Sequence, residues 1–117
     1  MEMTFSHHRL DAFHVALKAL VLCDAIAKEM PRGYGPLADQ LRRASQGAYL
    51  QLSEAAAREG ADAKNRFRVA RGEANEAGAA VEAVLALKLV GECECTEALG
   101  LLVRLSAMLT RLGGFHR

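Results

Sequence analysis

Tryptophan is absent from the 117 residues, proline occurs twice and isoleucine once, and only four Phe and two Tyr supply aromatic area. Val, Ile and Thr never alternate with polar residues over a run long enough for a strand, which excludes substantial β structure. Three cysteines are too few, and the wrong parity, for a disulfide framework, so a reducing, cytoplasmic setting is expected. No apolar run approaches the ~18 residues of a membrane span, and the start Met-Glu-Met-Thr-Phe-Ser-His-His-Arg has no signal-peptide pattern, so no membrane partner is expected. Fifteen Lys and Arg against fourteen Asp and Glu leave a formal net charge of +1, so a basic site must be a local patch.

What the chain has is alanine and leucine, 22 and 17 residues, an alphabet for helices. The length suits one domain, 1–117. Apolar spacing predicts an all-α chain: an antiparallel up-down-up-down four-helix bundle with helices over about 10–30, 36–59, 63–90 and 94–112. Leu10, Phe13, Leu17, Leu20 and Ala27 mark one face of the first helix. Ala12, Val15, Ala19, Leu22 and Ile26 form a second stripe with heptad rhythm, wider than one bundle seam requires. Val15, Ala19, Leu22 and Ile26 are therefore candidates for contact with another subunit. Gly72 and Gly78 join them, because glycine within a helix costs about 1 kcal/mol relative to alanine and implies close approach by a neighbour. Pro31, Gly33 and Gly35 end the first helix, Pro36 opens the second, Gly60 or Asp62 caps the third, Gly91 closes it, and Gly113-Gly114 ends the fourth.

Candidate chemistry is sparse. No Glu-x-x-His pair of the di-iron bundles occurs, and His7, His8, His14 and His116 sit toward the chain ends. Cys93-Glu94-Cys95 lacks a second ligand pair and is placed in the loop before the fourth helix. No nucleophile elbow or phosphate-binding glycine loop is present, so the expectation is no catalytic residues, no metal, no cofactor and no enzyme activity. The basic residues Arg42, Arg43, Arg58, Lys64, Arg66, Arg68 and Arg71 are nucleic-acid-binding candidates, with Arg58, Lys64, Arg66 and Arg68 expected to converge at one end of the bundle. The opposing expectation is a solvated surface of acid-first ion pairs: Asp39 with Arg42 and Arg43, Glu54 with Arg58, Asp62 with Arg66. The spacing leaves both open.

The run Tyr34-Gly35-Pro36-Leu37-Ala38-Asp39-Gln40-Leu41-Arg42-Arg43-Ala44 resembles the four helix bundle protein family, also called the ribosomal-RNA intervening-sequence family, to which the accessory variability determinant proteins of diversity-generating retroelements are related. The likeness extends to His8-Arg9-Leu10-Asp11-Ala12-Phe13, Glu54, and Ala70-Arg71-Gly72 followed by Glu76, while Gln51-Leu52-Ser53-Glu54-Ala55 stands where the family has Asn-Ile-Ala-Glu-Gly. The resemblance implies a homopentameric barrel of such bundles, with some relatives partnering reverse transcriptase and nucleic acid. It maps Arg42, Arg43, Arg66 and Arg71 onto the family's basic positions, for RNA contact or for packing against Glu54, Glu73 and Glu76. The expectation is a homo-oligomeric assembly or adaptor module with RNA or DNA as a further partner. The alternative is a monomeric or dimeric module that binds a partner protein through the wide apolar face of the first helix.

Overall fold

The computed structural model describes residues 10–114. They form four helices, α1 Asp11–Glu29, α2 Gly35–Ala56, α3 Gly60–Ala86 and α4 Glu92–Leu112, with no strand among the described residues. Contacts join α1 to α2, α2 to α3, α3 to α4 and α4 back to α1, so the helices close a ring. Each seam runs antiparallel. Asp24 meets Arg42 while Phe13, earlier in α1, meets Tyr49, later in α2. Likewise Arg66 meets Gln51 while the later Glu73 meets the earlier Gly47, and Asn75 meets Ser106 while the earlier Arg68 reaches Gly113.

The core has two layers. One contains Cys23, Ile26, Leu41, Val81, Val84, Cys95 and Leu102, the other Phe13, Leu52, Phe67, Leu105 and Leu109. Alanine fills much of the rest, letting backbones sit close where six aromatics supply little volume.

Three of the four interface candidates on α1 are covered by the chain itself. Val15, Ala19 and Ile26 lie in the chain's own core and Leu22 packs, half-buried, against it. Each helix of a closed ring touches two neighbours, so α1 buries a wide arc that takes in most of the second stripe with Phe13 and Ala27 of the first, while Leu17, expected on the core face, is exposed. Ala12, Ala16, Cys23 and Ala27 complete it.

Helix ends differ from expectation in ways the local chemistry explains. α3 stops at Ala86, before the Gly91 expected to close it, because Lys88 takes the left-handed conformation (φ 56°). Its N–H donates to the Leu85 carbonyl and that of Leu89 to Val84, the two bonds of a Schellman motif, with Leu89 packed on the core. Glycine usually holds that position; lysine there is disfavoured by about 1 kcal/mol. Gly91 instead precedes α4, whose first turn holds Cys93 and Cys95, so these are helical rather than in a loop. α2 ends at Ala56, short of 59, and Gly60 (φ 60°) turns the chain into α3, whose N-cap is Glu59 rather than Gly60 or Asp62.

Candidate interaction surface

Arg58, Lys64, Arg66 and Arg68 share the end of the bundle where α2 turns into α3 and α4 finishes, but they turn to different neighbours there. Arg42 lies on the α1/α2 seam, where its Nε approaches Asp24 Oδ1 at 3.3 Å. Lys28 binds the other Asp24 oxygen at 3.0 Å, and these two cations, Lys28 foremost, hold the Asp24 carboxyl below its ordinary range. Arg43 is exposed and donates to Gln40 within α2. Arg58 is held between Asp62 (2.9 Å) and Glu54 (3.7 Å), which raise its basicity further, Asp62 more strongly. Of the expected acid-first pairs only Glu54–Arg58 forms as drawn: Arg42 turns to α1, Asp62 to Arg58, and Arg66 donates across to Gln51 of α2 at 3.5 Å.

Lys64, Arg68 and Arg71 face the other way, toward the end of α4. A Cβ added at Gly114 would lie 3.4 Å from Lys64 Cδ. Arg68 Nε donates to the Gly113 carbonyl at 2.8 Å, placing a cation on the C-terminal, electronegative end of α4. Arg71 lines the groove between α3 and α4. Six of the seven candidates thus divide among three seams of the bundle and its α2–α3 turn, and Arg43 stands on the exposed face of α2.

That groove is an open hollow of about 480 Å³ whose floor and walls include Asn75, Gly78, Leu102 and Val103. Arg71 stands at one end of its α3 wall and Glu82 at the other. Across it, Ser106 Oγ donates to Asn75 Oδ1 at 2.7 Å. Val103, on the α4 wall, is 68% exposed, the most exposed large apolar side chain among the described residues. Gly72 and Gly78 of α3 and Gly100 of α4 would each meet nothing within 4 Å if they carried a Cβ. The close approach expected at Gly72 and Gly78 is therefore not supplied by the described residues. It occurs at Gly47 of α2, where an added Cβ would sit 2.7 Å from Glu73 Oε2. Sequence inspection passed over Gly47, Glu82, Gly100 and Val103. Of these only Glu82 had a signal, its recurrence with Arg71, Asn75 and Gly78 along one helical stripe.

The acids and thiols form a separate cluster between α1 and α4. Glu94 hydrogen-bonds Glu29, which raises the Glu94 carboxyl above its ordinary range. Burial, with the neighbouring Cys95, pushes the Cys23 thiol up to about 12; burial, with Glu94 and Glu29, also raises Cys95. Cys93 is exposed. His14 is exposed on α1 with its ring edge-on to Phe13, 5.0 Å between centroids, while His7, His8 and His116 lie outside the described residues. Among the described residues no three His, Cys, Asp or Glu side chains gather in a metal-binding group, and no helix is long and apolar enough to cross a membrane. The chain matches no protein-family model and shows no significant similarity to a curated protein.

Proposed function

We propose that this chain is a non-enzymatic assembly module that works as a homo-oligomer. The observation that carries the proposal is the open α3/α4 surface. Three glycines lie within its helices, each costing about 1 kcal/mol relative to alanine, and among the described residues no group packs over them. Beside them stands the exposed Val103. A second protein surface would bury that side chain and use the space the glycines leave. The groove is lined by a Ser–Asn pair, an arginine and a glutamate but by no His or Cys, a set suited to docking more than to nucleophilic chemistry.

Sedimentation or light scattering tests this directly. The expected mass is a multiple of 12.6 kDa that grows with concentration. A mass of 12.6 kDa throughout overturns the proposal. The family resemblance implies five copies, and the same measurement counts them.

Contact with RNA or DNA is the subsidiary activity we propose, supported by the α3 stripe of Lys64, Arg68 and Arg71 at four- and three-residue spacing. Weak, salt-sensitive retardation of a structured RNA is expected, diminished by Lys64→Ala combined with Arg71→Ala. Absence of a shift at low salt removes this part and leaves assembly intact.

A further inference from the structure

At one height the bundle carries opposite charges on opposite sides. Asp11 and Arg111 line one hollow between the start of α1 and the end of α4. Seven residues up α1 and seven back along α4 then bring Lys18 level with Arg104. Lys18 also lies midway between Phe13 and Asp24, whose contacts with Tyr49 and Arg42 set it level with Gln46 and Gly47 of α2. Glu73 of α3 lies against Gly47. The exposed cations Lys18 and Arg104 beside the α1/α4 seam therefore share a height with Glu73 on the α2/α3 seam, and Glu76 stands about 4.5 Å further along α3. Among the described residues none of these four side chains forms an ion pair. Arg43, level with Glu76, turns to Gln40 instead.

Resting on the assembly proposal above, we infer that copies of the chain join head to tail, the α1/α4 face of one seated on the α2/α3 face of the next. The helices close a ring in chain order, so these two faces look in opposite directions. Each face carries exposed apolar side chains beside its charges. Leu17 and Val21 stand one turn apart on α1, and Leu50 of α2 is level with Val69 of α3 by the flanking Gly47–Glu73 and Gln51–Arg66 contacts. Each face also holds an exposed glycine with open space above it. Gly100 lies one turn from Arg104, and Gly72 shares a stripe with Val69 and Glu76.

The occupant is a second copy because the two faces complement each other level for level. Rotation about an axis parallel to the helices sets every residue against those of the next copy at its own height. Lys18 and Arg104 then meet Glu73 and Glu76, and Leu17 falls within about 5 Å in height of Leu50 and Val69. Nucleic acid is attracted to the basic face alone and repelled by the acidic one. A contact that joins two different faces closes into a ring of any number of copies, the five implied by the family resemblance included.

The test is the mass of the full chain and two variants by light scattering across concentration, with helix content followed by circular dichroism. Lys18→Glu combined with Arg104→Glu makes the α1/α4 face acidic. Gly72→Trp sets bulk on the α2/α3 face, at an exposed position where a new Cβ meets nothing within 4 Å. Each variant is expected to keep its helix content and to raise the dissociation constant about 10-fold or more. Mixed in equal amounts, the two retain one intact face each, so they are expected to pair as two chains and grow no further. A native chain of 12.6 kDa throughout overturns both this contact and the assembly proposal. A larger native mass that either variant leaves unchanged, or a mixture that fails to pair, overturns the head-to-tail contact, leaves the assembly proposal standing and assigns these faces to another partner.

Discussion

The α2/α3 and α3/α4 seams share a helix yet treat glycine in opposite ways. On the α2 side, Gly47 makes room for the Glu73 side chain, which lies against its backbone, and Arg66 reaches over to Gln51. Gly78, on the α4 side, and the exposed Gly72 and Gly100 make room for nothing among the described residues, and Val103 stands in the open. The same residue therefore completes one seam and leaves the other incomplete. Glycine inside a helix indicates a neighbour only when something occupies the missing Cβ's place, and on the α4 side the open space points outward from the bundle.

Substitutions on the two sides should separate accordingly. The largest effect is expected at the shared core: Leu52→Ala, on a fully buried α2 residue, should cost about 3 kcal/mol in urea unfolding. Val103→Ala should leave stability within about 0.5 kcal/mol while weakening self-association. Equal losses at the two positions would erase the distinction between core and open surface.

Next come the glycines themselves. In dilute solution Gly78→Ala and Gly100→Ala should each stabilise the fold by up to about 1 kcal/mol, through helix propensity with no clash. Gly47→Ala should gain less, because Glu73 must swing away from the new methyl. Thermal melts of the three variants at one concentration rank them.

Arg68→Ala sharpens the α4 side further. It removes the hydrogen bond to the Gly113 carbonyl and the cation at the end of α4, and should cost roughly 1 kcal/mol with fraying of the last turn. Loss of RNA retardation without loss of stability would instead make Arg68 a ligand-binding residue.

The smallest effects are electrostatic and extend the comparison to the two seams of α1. Asp24, on the α2 side, has its pKa lowered from 3.8, so its contribution to stability is present above that pH and is lost as pH falls through the lowered value. Glu94, on the α4 side, is raised from 4.5, so the folded state binds its proton more tightly and gains stability as pH falls through the raised value toward 4.5. Acid titrations of Asp24→Asn and Glu94→Gln should therefore depart from the native curve in opposite senses.

Much of the fold was legible because the helices are long and amphipathic: Ala98, Leu102, Leu105 and Leu109 recur along α4 at four- and three-residue spacing and are all buried. Two features were hidden for physical reasons. Spacing locates a stripe without saying how many neighbours share it, so the broad buried face of α1 looked like a core plus an interface. Spacing also says little about where a long cationic arm turns. Arg42 and Arg66 each choose a partner on another helix, and Asp62 pairs backward with Arg58 instead of forward with Arg66. The end of α3 was missed because its left-handed residue is Lys88, where a glycine would have signalled the stop.

The cysteines turn this packing into a clock. Thiolate is the reactive form, and with its pKa at about 12 and no exposed surface Cys23 is shut to alkylating reagents while the bundle is closed. Cys93, at the start of α4, is open to them at once. Labelling of the three thiols thus begins with a count of one, and the rate at which it climbs measures how often α1 and α4 part.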